Sequence, residues 1–423
     1  MKIFKFGGAS VKDAQGVKNI VNIIKQYTDQ PLLVVVSAMG KTTNLLETLL
    51  HAHTKNSNEQ YSIFEQLKNY HYSIVNQLFE NKSQIHSILE EWFANLQDLI
   101  EEPNVENYDF EYDRIVSYGE LLSTTIVSHY MQYIGIDNQW IDARQLIRTD
   151  NTYREAQVDW DKTQRKIKRQ LGTHYEAKNT TPIVTQGFIA GTAEGLTTTL
   201  GREGSDFSAA IFGYALNANE VVIWKDVDGL LNADPKQFSN TIKLDKIPYS
   251  EAIELSYYGA SIIHPKTLKP LQNKKIPLKV KSFISPETEG SVIGDFSIKQ
   301  MTPCFIGKKN QMLISIMPKD FSFIAEENLS TIFGLFAHFG IKINLMQNSA
   351  LSFSVCVDEK HNINDLIEEL QTEFFVKYNK DMELITIRHY DDKSINLVLQ
   401  NRKPIVEQKN RTTVQYVLKK TLS

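Results

Sequence analysis

The run LLVVV at residues 32–36 constrains this chain more than any other feature. Five consecutive apolar residues, three of them valine, suit a strand buried on both faces, as strands are in a parallel sheet covered by helices. The residues ahead of it fit the same arrangement. Residues 2–6 alternate and predict a strand, and Gly7 and Gly8 end it. Ser10 or Asp13 can cap a helix whose apolar stripe is Val17, Ile20, Val21 and Ile24, and Pro31 breaks the chain before the second strand. Strand, helix and strand within about 35 residues make the βαβ opening of an α/β domain.

The pattern then changes. Over residues 45–102 the apolar positions run at helical spacing through Leu45, Leu49, Leu67, Ile74, Leu78, Ile85, Leu89, Trp92, Leu96 and Leu99, which predicts two or three helices inserted after the second strand. Strands return at PIVTQGFIA (182–190) and EVVIW (220–224), with a helix at 205–216 that Ser205 or Asp206 can cap. The first domain is expected to span residues 1–300, with its helical insertion at about 45–110. From 305 a new order begins. Strand MLISIM, helix 328–340, strands IKINLMQ and LSFSVCVD and helix 363–374 form one ferredoxin-like β-α-β-β-α pass. A second copy would have ELITI, SINLVL and TTVQYVL as its strands. Only Arg388 to Lys393 separate the first two, a hairpin-sized connection, so this module is expected to be reduced or completed by outlying pieces.

Composition narrows the function. The formal charge is −4, from 46 basic and 50 acidic residues, and carries no nucleic-acid footprint. No apolar run reaches membrane-spanning length, and MKIFKF is no secretory leader, so no membrane partner is expected and the cytoplasm is the expected compartment. Cys304 and Cys356 are the two cysteines, too few for a disulfide framework or a zinc cluster. No histidines show metal-ligand spacing.

Candidate chemistry gathers at the strand ends. Gly7 and Gly8 let backbone N–H groups approach an anion, and Lys5 beside them can serve phosphates as a fixed charge. VSAMGKTTN looks like a Walker A loop but is not one, because the position five before the glycine of GKT is Val35, in a strand. GLTTTLGREGSDFSA (195–209) crowds donors and small residues at a helix start. There Arg202 can grip a carboxylate, and Asp206 can orient a lysine, pair with an ammonium or help organise Mg²⁺. In WKDVDGLLNADPK, Asp226, Asp228 and Asp234 do not form an EF-hand, since Gln237 stands at the twelfth place, but they can bound a nucleotide pocket. Arg114, Ser117 and Glu120 are spaced to share a helix face, with Glu120 able to receive an α-ammonium, and His264 before Pro265 reads as a helix-entry residue.

KFGGASV, SAMGKTTNL, RIVSYGELLS, TQGFIAGTAEGLTTTLGREGSDFSA, WKDVDGLLNADPK, IPYSEAIELSYYGASIIHPKTLKPL and PLKVKSF together resemble the aspartate kinases of the amino-acid kinase family, from residue 2 to about 294. The resemblance implies a three-layer, open, mostly parallel sheet followed by ACT-type modules over 305–423. It implies ATP with Mg²⁺, phosphorylation of the side-chain carboxylate of L-aspartate, and a homodimer or higher oligomer formed through the ACT-like region. It makes Lys5 and Asp206 the catalytic pair. Ser37, Thr43, Glu120, Arg202 and Ser205 would hold aspartate, and Gly7, Gly8, Ser10, Lys225, Asp226, Asp234 and Lys236 the nucleotide. Ala9, Glu203, Lys225, Lys236 and Ser261 depart from the family pattern. Ser261 lacks an expected ATP-contacting lysine, for which Lys225 is the candidate substitute. The effector loop after ISIM is PKDFSF, without glycine, so inhibition by lysine or threonine is not expected. Alternatives are a sister kinase acting on another acid and an amino-acid-binding regulatory protein weakened in catalysis.

Overall fold

The computed structural model describes residues 1–102, 107–172, 180–260, 263–320, 322–400 and 402–420. The chain divides into two compact units, Met1–Leu230 with Asp245–Ala252 and Ile263–Ser297, and Leu231–Leu244 with Ile253–Ile262 and Ile298–Ser423.

The first unit is built on an eight-stranded sheet. Its strands are β1 (Lys2–Phe6), β2 (Leu32–Val36), β3 (Gln139–Ile141), β4 (Ile183–Gln186), β5 (Glu220–Lys225), β6 (Lys246–Pro248), β7 (Leu278–Ser282) and β8 (Ser291–Gly294). They lie in the order β6-β8-β7-β5-β1-β2-β4-β3, parallel throughout except where β7 meets β8. β1 is central, and all five residues of β2 are fully buried, as the LLVVV run requires. Asp13 caps the first helix by accepting from the Gly16 N–H at 2.7 Å, and Val17, Ile20, Val21 and Ile24 are its buried face. Helices 42–54, 59–78 and 83–101 follow β2 and bury Leu49, Leu67, Leu89 and Leu96 in the same core as β1 and β2.

Two sequence expectations fail in this unit. Arg114, Ser117 and Glu120 do not share a helix, because the chain breaks at Ser117 into helices 108–116 and 118–133. Arg114 turns to Glu111 and Glu102, at 2.8 and 2.6 Å. The helix expected to start at a Ser205 or Asp206 cap begins at Gly204. Its cap position is Glu203, held in the left-handed region at φ 55°. His264 does enter a helix, its Nδ1 accepting from the Lys266 N–H at 3.2 Å.

The second unit has a six-stranded sheet of β9 (Cys304–Pro318), β10 (Ile343–Asn348), β11 (Phe353–Asp358), β12 (Phe374–Arg388), β13 (Val406–Lys409) and β14 (Thr413–Lys419), in the order β10-β11-β9-β12-β14-β13 and antiparallel throughout. The 15-residue strands β9 and β12 each serve two modules, with register shifts near Asn310 between their halves. One module is the latter part of β9, helix 326–338, β10, β11, helix 363–373 and the start of β12, around Ile314, Ile332, Val355 and Leu366. The other joins Cys304–Lys308 of β9 to the end of β12, helix 392–399, β13 and β14, around Ile387, Val398, Val414 and Tyr416.

SINLVL is therefore a helix and not a strand. Asp391 and Ser394 cap it reciprocally, with the Ser394 N–H to Asp391 Oδ1 at 2.7 Å and the Asp391 N–H to Ser394 Oγ at 2.8 Å. TTVQYVL does form a strand, as expected. It lies inside, as β14, and the unforeseen β13 is the edge.

Candidate active site

In the first unit, neighbouring parallel strands bring their C-terminal ends together, the position at which open α/β sheets bind ligands. Lys5 is the last residue but one of β1, Ser37 follows β2 and Lys225 ends β5, with β1 between the other two. A cavity of about 1010 Å³ opens there. Its walls include Lys5, Gly7, Gly8, Ser10, Ser37 and Thr43 from the first two strand ends, Glu120 from helix 118–133, Arg202, Ser205 and Asp206 from the 201–206 loop and helix start, and Lys225 and Asp226 after β5.

Lys5 and Asp206 form a buried ion pair, Nζ to Oδ1 2.7 Å, with side chains 12% and 6% exposed. The ladder holds Lys5 opposite Val35 and Ile223, so its stem has little freedom to leave. Gly8 is required by close approach, since a Cβ there would lie 2.7 Å from the Ala38 carbonyl oxygen and 2.9 Å from that of Gly40. The Ser10 hydroxyl is spent locally on the Gly7 carbonyl, at 2.6 Å. Its side chain braces the glycine turn.

Glu120 is buried. Its Oε1 accepts from the Ala38 N–H at 3.1 Å, while Oε2 has no hydrogen-bond partner. Burial pushes its carboxyl up to about 8, against the opposing pull of the Ala38 N–H and the Lys5 charge. A cation brought to the bare oxygen would pull the carboxyl back down. The folded state binds this proton more tightly than the unfolded chain, so ionisation costs stability as pH rises from the ordinary carboxyl range through about 8. Glu120→Gln removes that term, which has a slope of at most about 1.4 kcal/mol per pH unit. The variant is expected to gain thermal stability relative to the parent as pH rises through this window, and a constant difference in melting temperature across pH would refute the assignment.

Asp234 and Lys236 do not belong to the first unit. They belong to the second unit, where Asp234 closes a turn by accepting from the Lys236 N–H at 2.9 Å. Ser261 lies outside the described residues. Glu203 lines the cavity, and its Oε2 accepts from the His264 N–H at 3.0 Å. Asp113, Tyr112, Arg154, Phe188 and Phe283 were not foreseen. All but Asp113 line the cavity. Asp113 is fully buried behind it, burial pushing its carboxyl up to about 6. In sequence it is one more acid in DFEYD, and only a mismatch between an expected solvated helix face and the apolar neighbours Ile115 and Val116 marks it.

The profile of the amino acid kinase family matches residues 1–282. The chain belongs to the amino acid kinase family. Within the family it is similar to aspartokinases. The lysine-sensitive aspartokinase 3 of Escherichia coli K12 is 31% identical over 363 residues, 84% of this chain and 78% of its own. The chloroplastic bifunctional aspartokinase/homoserine dehydrogenase 2 of Arabidopsis thaliana is 30% identical over 385 residues, 88% of this chain, and the chain spans only 42% of that protein's length. Structures of E. coli aspartokinase III, one with lysine and aspartate and one with aspartate and ADP, match at TM-scores of 0.85 and 0.82. Each is 26% identical, over 99% of this chain and 96% of its own. The amino acid kinase match covers every cavity residue named above but Phe283, and stops short of the second unit's sheet.

Proposed function

We propose that this chain transfers the γ-phosphoryl group of ATP to the side-chain carboxylate of L-aspartate, giving 4-phospho-L-aspartate and ADP, the first step toward lysine, threonine and methionine. The observation that carries the reading is one cavity holding a buried Lys5–Asp206 pair at a glycine turn together with a buried acid, Glu120, that has an unpartnered oxygen. One end suits phosphates and the other a zwitterion.

An oxygen of the β-carboxylate attacks the γ-phosphorus as the bond from that phosphorus to the β,γ-bridging oxygen breaks, and ADP carries away the electron pair. The carboxylate is ionised at neutral pH, so no general base is required. Lys5 meets the charge of the transferring group, and Asp206 keeps the ammonium in place. Glu120 takes the α-ammonium, Arg202 a carboxylate, and Ser37, Thr43 and Ser205 add hydroxyl contacts. The N–H groups at Gly7 and Gly8 face phosphates, Ser10 braces their turn, and Lys225 and Asp226 border the nucleotide. Among the described residues no group of three His, Cys, Asp or Glu side chains could hold a metal ion alone. The Asp206 and Asp226 carboxylates that line the cavity fit an Mg²⁺ ion brought by the nucleotide, one of them serving as its protein carboxylate. Bound there, the ion would neutralise phosphate oxygens.

An ATP-dependent hydroxamate assay with a panel of acids tests the reading. Aspartate is expected to give product, glutamate and monocarboxylic amino acids little. Preference for another acid would assign a sister reaction, and no product with any acid would favour a binding protein.

We further infer a homodimer or larger assembly through the second unit. Its sheet has bare edges at β10 and β13, and Phe323, Phe333, Met346 and Phe375 stand exposed in or beside the first module. A cytoplasmic setting is part of the proposal. No helix among the described residues is long and apolar enough to cross a membrane, and Cys304 and Cys356 are both buried.

A further inference from the structure

Arg154 is held in an unusual way. Its backbone is left-handed, φ 66°, a conformation that L side chains adopt at a cost and glycine does not. The buried carboxylate of Asp113 fixes it there. The Arg154 N–H donates to both carboxylate oxygens, at 3.1 and 3.0 Å. The same carboxylate takes the Thr199 N–H at 2.9 Å and the Thr199 hydroxyl at 2.6 Å. One side chain thus ties together helix 108–116, the turn at Arg154 and the strand that leads into the Arg202 loop. The turn and that loop touch, since a Cβ on Gly201 would come within 3.1 Å of the Arg154 carbonyl oxygen.

None of this needs an arginine. The bond to Asp113 comes from the main chain, which any residue but proline supplies, and the backbone angle favours glycine. The guanidinium lies 4.5 Å over the ring of Tyr112 and 3.2 Å from Asp109, and all three residues line the cavity. The pair with Asp109 is about half exposed on both sides, where ion pairs contribute little and exchange readily. A planar fork on an aromatic shelf, beside the loop that bears Arg202, matches a carboxylate.

We propose that Arg154 is a second substrate-facing arginine, selecting an amino acid with two carboxylates over one with a single carboxylate, and that Asp113 is the positioning residue that aims it. The proposal rests on reading the cavity as an acidic amino-acid site. Arg154→Gly is the decisive variant, because glycine relaxes the backbone while deleting the guanidinium. It is expected to melt no lower than the parent, to raise KM for aspartate about tenfold, and to leave kcat and KM for MgATP within about twofold. Arg154→Lys should recover part of the loss. Asp113→Asn puts an amide N–H₂ among donors. It should raise KM for aspartate in the parent but change it less than about twofold on top of Arg154→Gly. An unchanged KM for aspartate in Arg154→Gly overturns the assignment, as does an equal rise for MgATP. Equal effects of Asp113→Asn in both backgrounds overturn the positioning role alone. A parent that phosphorylates another acid but not aspartate overturns the underlying reading of the site instead.

Discussion

Lys5→Ala is expected to lower kcat by about a hundred- to a thousandfold, the range for losing one preorganised group aimed at developing charge. The sheet fixes where Lys5 sits, and Asp206 fixes where its ammonium points, 2.7 Å away. A charge so constrained contributes most when negative charge shifts during phosphoryl transfer, so kcat should suffer more than either KM. The single variant also leaves Asp206 buried without its partner, and breaking such a pair is strongly destabilising. Loss of activity alone would then be ambiguous. The double variant Lys5→Ala/Asp206→Asn removes both charges and is expected to recover most of the melting temperature without recovering kcat. A stable double variant with near-parental kcat would show that the pair only holds the fold together.

The features that sequence exposes best are those in which local pattern and chemistry agree. The β1–helix–β2 opening is one, because an alternating strand, an Asp13 cap and a helical stripe all point the same way. The cavity residues at strand ends were legible for the same reason, since glycines, hydroxyls and charges cluster where parallel strands stop. Reading failed where one pattern served two structures. SINLVL alternates well enough for a strand, and only the Asp391–Ser394 capping box, formed by atoms that do not show in an apolar pattern, makes it a helix. Arg114 and Glu120 have the spacing of one helix face, but Ser117 divides that stretch in two. Asp113 was invisible because its meaning lies in Thr199 and Arg154, partners distant in sequence that only the fold brings to it.

Deleting residues 410–423 is expected to abolish the second module and, with it, the proposed assembly. β14 pairs with β12 from Met382–Lys419 to Arg388–Thr413 on one side and with β13 on the other. Removing it strips a whole ladder, orphans β13, and takes Val414, Tyr416, Val417 and Leu418 out of the core. The exposed edge of β12 would then recruit other chains, so aggregation or monomer–oligomer mixtures should replace a single species in light scattering. Effectors are expected to behave differently from the deletion. Helix 326–338 opens with Glu326 and Glu327, and Asn328 Oδ1 already accepts from the Ala325 N–H at 3.1 Å. Two acids in the first turn oppose any carboxylate that approaches the helix start. The loop ahead of it carries Phe323, 72% exposed, where backbone N–H groups would have to reach the ligand. Lysine and threonine at millimolar levels, singly or together, should therefore leave activity nearly unchanged, in contrast to the lysine sensitivity in the name of the E. coli relative. Saturable inhibition by either, abolished by substitutions in the 319–328 segment, would mean that this segment still forms an effector site despite its acids and its aromatic side chain.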